Sequence, residues 1–235
     1  MLALKRLKAN LVKWLEISVR RHHLDQALCQ LSPHMRGRVV EVGGGRIAHR
    51  GGFRPPTPMA AHGNNESPCW LTVDIAPDRS PHLQADAQSL PFASASFDMC
   101  VALEMLEYVP IPSKALEEFH RILRPGGVLI LSVPFMHRQD AANDLWRWTS
   151  AGITRLVVDA GFAVEKMETQ AAAFGVAANI LKYTVVISSP GMTKHILAIL
   201  FMPLAALLWS LDRHVTACLP VLGYFTTGTL LIARK

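Results

Sequence analysis

RVVEVGGG, residues 38–45, is the stretch on which the fold turns. Val39, Val40 and Val42 surround one acid, Glu41, and the run ends on Gly43-Gly44-Gly45. Side chains branched at Cβ suit a pleated strand, and glycines just past a strand let a ligand approach the backbone closely. Outward from this point the pattern repeats. Trp70 to Ile75 reads as a second strand that ends in an acid, Asp74. His82 to Asp86 reads as a short third strand, also ending in an acid, and Phe97 to Leu103 as a fourth. Between Ser113 and Leu123 the apolar residues Ala115, Leu116, Phe119, Ile122 and Leu123 have helical spacing. The turn Pro125-Gly126-Gly127 closes that helix and feeds a fifth strand, Val128 to Val133, which stops at Pro134. A helix over 150–160 ends at Gly161, a natural left-handed cap, and Phe162 to Met167 is another strand. Nearly continuous apolar strands alternating with helices predict an α/β fold with a doubly wound, mostly parallel sheet.

The chain has 235 residues, enough for one catalytic-size domain with an elaboration. Its net charge of +6 is confined to the first forty residues, where Lys5, Arg6, Lys8, Lys13, Arg20, Arg21, Arg36 and Arg38 face only Glu16 and Asp25. A basic head on a neutral body argues for a local contact with anionic lipid or an acidic partner, and against a nucleic-acid groove. Cys29, Cys69, Cys100 and Cys218 are far apart and form no CxxC pair, which predicts neither a zinc site nor a disulfide framework and makes a reducing cytoplasmic setting the default.

Three stretches depart from the repeat. Residues 2–15 place Leu4, Leu7, Leu11, Trp14 and Leu15 on one helical face between cations, a pattern that either docks on the domain or lies on a membrane surface or a partner. Residues 19–31 continue helical until Ser32-Pro33. Residues 46–69, with Pro55, Pro56, Pro58 and Pro68, have almost no periodicity and read as a long loop. Near the end, ILAILFMPLAALLWSL (196–211) carries no charge but is short, and kinked by Pro203, for a membrane span. A buried helix, a hydrophobic substrate lid, or a monotopic membrane contact all fit. Thr226 to Ala233 reads as an edge strand of the sheet.

Ligands of open α/β sheets bind at the carboxyl ends of the strands. Here those ends carry Glu41 with Gly43 and Gly45, then Asp74, then Asp86. An acid ending the second strand can accept both hydroxyls of a ribose, and an acid on the third can accept a hydrogen bond from an exocyclic amine. VVEVGGG (39–45), LTVDI (71–75), ADAQSLPFASASFDMCVALEMLEYV (85–109), ALEEFHRILRPGGVLILSVPF (115–135) and WRWTSAGITRLVVDAGF (146–162) together resemble the class I S-adenosylmethionine-dependent methyltransferases, in the branch with a UbiE-like or type 11 domain. The resemblance implies a Rossmann-like seven-stranded sheet with a hydrophobic helical insertion, about 170–225, before the last strand. It implies a methyltransferase domain over 35–235 behind an N-terminal helical region, 1–34.

The resemblance also implies site residues. Gly43 and Gly45 would face the methionine part of S-adenosylmethionine, Glu41 would support their loop, Asp74 would hold the ribose, and Asp86 with Ala87 would read the adenine. Leu103 and Glu104 would line the cofactor's other side. Three departures stand out: Ile47 occupies the place of a third glycine, the proline-rich loop stands where the family has a helix, and Glu107-Tyr108 stands where many relatives have glutamate-histidine.

For the reaction, a base is needed only if the attacking atom carries a proton. His137, three residues past Pro134, is the candidate base, with an ordinary surface histidine as its alternative. Tyr108 and Trp146 are candidates to wall an acceptor pocket, and Arg138 or Arg147 to meet an anionic group. No metal is expected. The acceptor expected is a small or lipid-linked molecule, in polysaccharide or isoprenoid metabolism. Peripheral membrane contact would come through 1–15 and 196–211, and no nucleic-acid partner is expected. The competing class is a non-catalytic scaffold that keeps the fold. A nicotinamide-dependent oxidoreductase is disfavoured because no hydride-transfer site follows the fifth strand.

Overall fold

A computed structural model of the chain describes residues 17–45, 53, 55, 69–187 and 191–235. The amphipathic stretch 2–15 and nearly all of the proline-rich stretch 46–68, Ile47 included, lie outside the described residues. Seven strands form one sheet in the order β3-β2-β1-β4-β5-β7-β6. They are β1 (Arg38–Val42), β2 (Cys69–Asp74), β3 (Leu83–Gln84), β4 (Phe97–Leu103), β5 (Leu123–Pro134), β6 (Ala163–Gln170) and β7 (Gly228–Arg234). β1 to β5 are parallel, while β7 runs antiparallel to both β5 and β6. The helices are α1 (Val19–Leu31), α2 (Pro112–Ile122), α3 (Ser150–Asp159), α4 (Ala173–Lys182) and α5 (Gly191–Cys218).

Alternation along the strands sends side chains to two cores. Val40, Val42, Cys100, Ala102, Leu129 and Leu131 pack with Leu116, Phe119 and Ile122 of α2 and Ile153 and Val157 of α3. Val39, Val101, Ile130 and Leu230 point the other way, onto Leu24 and Leu28 of α1, with Phe53 and Trp70. Each fully buried Val, Leu, Ile or Phe among them contributes roughly 1.5–3 kcal/mol. Ser18 caps α1 by accepting from the Arg21 N–H (3.0 Å), and Gly161, at φ +94°, follows α3 as expected from its lack of a Cβ.

Two expectations are corrected. The last strand is not at the edge: it lies between β5 and β6, and β6 is the edge. Four of its seven residues are buried in unbroken succession from Gly228 to Leu231, as an interior strand requires. The Arg124-Pro125-Gly126-Gly127 turn is not a break between helix and strand but a bulge inside β5. Leu123 already pairs with Phe97 and pairing resumes at Val128 opposite Met99, with Gly126 at φ +76° turning the backbone between them.

The insertion between β6 and β7 is helical: α4, a π-helical turn at Tyr183–Ile187, the 28-residue α5 with Pro203 inside it, and a short 3-10 turn at Pro220–Tyr224. Met202 and Ala205 pack inward against Val19, Ala178 and Val185. Asp212, buried on α5, locks the insertion by accepting from the N–H groups of Ala172 and Gly175, both at 2.8 Å, at the N-terminus of α4. Ile196, Leu200, Leu204 and Leu207, one face of α5 at helical spacing, remain 47–67% exposed. No helix among the described residues is long and apolar enough to cross a membrane.

Candidate cofactor and acceptor site

The strand ends carry the predicted residues onto one rim of the sheet. After β1 the chain turns at Gly43, φ +77°, where a Cβ would lie 2.3 Å from the Cβ of Met105. Only glycine fits that approach without strain. The Gly43 and Gly44 N–H groups both donate to the Val73 carbonyl, at 2.8 and 3.3 Å, so the loop is laid against β2. Glu41 sits buried beneath it: its Oε2 accepts from the Trp70 indole at 2.8 Å, and a Cβ on Gly44 would press into its carboxylate. Gly45 abuts the backbone of Arg79, whose carbonyl would stand 2.2 Å from an added Cβ.

Asp74, at the end of β2, is buried with its two oxygens in different situations. Oδ1 accepts from the Ala76 N–H at 2.9 Å, whereas Oδ2 has no hydrogen-bond partner and the Arg79 guanidinium stands 3.6 Å away, beyond hydrogen-bond range. Asp86 is held by Gln88, whose backbone N–H donates at 2.9 Å and whose amide donates to both oxygens at 3.2 Å. Ala87 is buried beside it, and Leu103 is buried at the end of β4.

Glu104 turns away from this row. Its backbone has φ +53°, Ser132 donates to its Oε1 at 2.5 Å, and Arg20 of α1 makes an ion pair with Oε2. His137 is not a surface residue: its side chain is buried against Tyr183, ring centroids 5.0 Å apart, with the Asp140 carboxylate 3.6 Å from Nε2. Burial lowers its pKa from the ordinary imidazole value, which favours the neutral ring. Tyr108 is half-buried and burial pushes its phenol up to about 12. Trp146 stacks on Trp148 and donates to the Val109 carbonyl at 2.9 Å. Arg147 is engaged by both oxygens of Asp144 and by the Arg138 carbonyl, and Arg138 lies over Tyr183 and pairs with Asp140 at 2.8 Å. Both arginines, the candidates to meet an anionic group, are thus already paired with carboxylates. Sequence patterns gave no sign of Arg79 beside Asp74, of Arg20 at Glu104, or of Glu107, buried with its carboxyl pushed up to about 7 chiefly by desolvation.

A family model described as "Methyltransferase domain" matches residues 63–131, the part that runs from β2 into β5. The chain has the Rossmann-like seven-stranded fold of the class I methyltransferases, and its residues 63–131 are similar to that family's domain. An uncharacterized methyltransferase of Mycobacteroides abscessus is 33% identical over 108 residues, 42% of this chain and 40% of that protein. The chloroplastic 2-methyl-6-phytyl-1,4-hydroquinone methyltransferase 1 of Oryza sativa is 31% identical over 113 residues, 41% of this chain and 31% of that protein. These matches span well under half the length of the relatives. A solved S-adenosylmethionine-dependent methyltransferase of Thermotoga maritima shares the fold at TM-score 0.51 and 19% identity, covering 98% of this chain and 97% of that one.

Proposed function

We propose that this methyltransferase domain transfers the methyl group of S-adenosylmethionine to a small or lipid-linked acceptor. The observation that carries the proposal is Asp74: one buried carboxylate oxygen satisfied by its own turn, the other without a hydrogen-bond partner, with the Arg79 guanidinium 3.6 Å away, beside the glycine loop. A buried acceptor without a donor costs roughly 1–3 kcal/mol, and a ribose hydroxyl is the donor that the position would receive. Gly43 and Gly45, with Glu41 below them, would hold the amino-acid end; Asp86 and Ala87 the adenine; Leu103 the opposite wall. When bound, the sulfonium supplies an electrophilic methyl, so the protein's own work is alignment. His137 and Tyr108 stand on the acceptor side, and neutral His137 could accept a proton from the reacting group.

The reading for the acceptor's setting rests on α5. Its exposed stripe of Ile196, Leu200, Leu204 and Leu207 would lie on a membrane surface from the cytoplasmic side, with the cationic face of residues 1–15 meeting anionic headgroups. An acceptor with a lipid tail would then reach the site from the bilayer, as the phytyl hydroquinone named for the Oryza sativa relative suggests. Residues 1–34 would serve as a helical cover on a catalytic domain of 35–235, with the insertion at about 170–225 forming the lipid-facing side.

Calorimetric titration with S-adenosylmethionine and S-adenosylhomocysteine tests the core of this. Binding should be micromolar and weaken about 100-fold in Asp74→Ala, the loss of roughly 2–3 kcal/mol of charge-assisted hydrogen bonding. Folded protein that binds neither compound at millimolar concentration would leave a non-catalytic scaffold as the better account.

A further inference from the structure

The oxygen proposed for the ribose is already attended by a cation of the chain itself. Asp74 Oδ2 is buried and has no hydrogen-bond partner, and Nη1 of Arg79 stands 3.6 Å from it. The two side chains sit in different surroundings, that of Asp74 only 7% exposed and that of Arg79 52% exposed. A carboxylate shut off from water loses its hydration, and a cation close by offsets part of that cost even without a hydrogen bond. Gln84, which pairs with Asp74 across β3, is committed elsewhere: its amide donates to the Ile75 carbonyl at 3.0 Å.

Arg79 is fixed at its base and loose at its tip. It closes the 3-10 turn Pro77–Arg79, after which Ser80 takes φ 49° and returns its N–H to the Pro77 carbonyl at 3.0 Å. The entry to that turn is tied to Asp74, because the Ala76 N–H donates to Oδ1. On its other side the residue meets the glycine loop, where a Cβ on Gly45 would lie 2.2 Å from the Arg79 carbonyl oxygen and 2.6 Å from its Cβ. Residue 79 therefore stands between the two features the cofactor would need, the glycine loop and the unbonded oxygen of Asp74. Its side chain, half in water, can leave at small cost, since ion pairs with one partner in solvent are weak.

A ribose and this cation compete for one oxygen. A hydroxyl bonded to Oδ2 would sit about 2.7 Å from it, nearer than the guanidinium, and Oδ2 is buried, so a neighbouring group has to give way first. We infer that Arg79 is a placeholder for the cofactor: without a ligand its guanidinium neutralises Asp74, and it swings into water when ribose hydroxyls take Oδ2. The inference rests on the proposed cofactor site and adds to it a residue that opposes binding. S-adenosylmethionine and S-adenosylhomocysteine carry the same ribose, so the competition weakens both.

Calorimetry on the full chain tests this with S-adenosylhomocysteine and with adenosine, which has the ribose but no charge. Arg79→Gln should bind both about three- to tenfold more tightly than wild type. Arg79→Lys keeps the cation and should lie closer to wild type. In an Asp74→Asn background the gain for S-adenosylhomocysteine should vanish, because no charge is left to neutralise. Raising KCl from about 50 to about 500 mM screens the pair, so adenosine should bind wild type more tightly and Arg79→Gln with no change. A purely structural role for Arg79 would produce neither the cycle nor the salt effect, and the salt series on wild type needs no variant to fold. Weaker binding by folded Arg79→Gln would make Arg79 a holder of the cofactor and overturn the inference. Unchanged binding, or a gain that survives Asp74→Asn, would overturn it equally. Wild-type protein that binds neither compound would instead sink the cofactor-site reading, and this one with it.

Discussion

The two halves of the rim are assembled from the chain in opposite ways. On one half, Glu41, Gly43, Asp74 and Asp86 each stand at the end of a strand or just past it, and the strands β1, β2 and β3 are neighbours in the sheet. On the other half, Arg20, Glu104, Glu107, Ser132, His137 and Gln170 come from a helix, two strand exits and an edge strand, and meet only because β5, β7 and β6 lie side by side. The first half is a repeated local device: strand, acid or glycine, turn. The second is a convergence that exists only after the sheet has formed. On the proposed reading the first would hold the cofactor, at positions that local strand ends supply, while the second depends on the packing of distant segments.

The largest effect expected is on the first half. Gly43→Ala forces a side chain into φ +77° and within 2.3 Å of Met105 Cβ, and should cost about 2–4 kcal/mol of stability together with most of the cofactor affinity. Urea unfolding and calorimetry on the variant check both; a variant as stable as the wild type would show that Met105 yields and that the glycine loop is less constrained than its geometry indicates.

A smaller effect, of opposite sign, sharpens the second half. Burial raises the Glu107 carboxyl to about 7, above its unfolded value near 4.5. Its charge is therefore disfavoured in the folded state: the penalty is absent below pH 4.5, grows as pH rises, and is complete above pH 7. Glu107→Gln removes it, so the stability of the variant relative to wild type should increase by on the order of 1–3 kcal/mol between pH 5 and pH 8. Paired unfolding curves at the two pH values measure this. A difference independent of pH would mean that the carboxylate is well solvated. The smallest effect on stability belongs to Leu200→Asp on the exposed face of α5, which should stay within about 0.5 kcal/mol of wild type. If α5 makes the proposed membrane contact, the variant's recovery with anionic phospholipid vesicles in a flotation assay should nonetheless drop severalfold, and unchanged recovery would remove α5 from that proposal.

The same contrast explains what the sequence could and could not reveal. The strands β1 to β5, the α2 helix and the acids at the strand ends follow from hydrophobic period and turn residues, which are local. Arg20 is legible only as one more cation in a basic head, and Glu107 only as the neighbour of Tyr108. Nothing in their surroundings announces burial, because the residues that bury them lie far along the chain. The interior position of β7 was hidden for a related reason: strand order is a matter of pairing. A cue was present in Thr229-Leu230-Leu231-Ile232-Ala233, too continuously apolar for a strand with one wet face. His137 shows the limit most plainly, since a loop position predicts exposure and tertiary packing against Tyr183 reverses it.

The position of β7 also dictates an order of events during folding. Among the described residues β6 pairs with β7 alone, yet between the two lies the α4–α5 insertion. When β6 leaves the ribosome it has nothing to pair with, and it must wait while the apolar α5 is synthesised and docked. The β1–β5 half can meanwhile condense by itself. The closing step, in which β7 slides antiparallel between β5 and β6, joins segments distant in sequence and so is the slow one. Until that moment the long edge of β5 is bare, an unpaired edge that the finished sheet covers with β7.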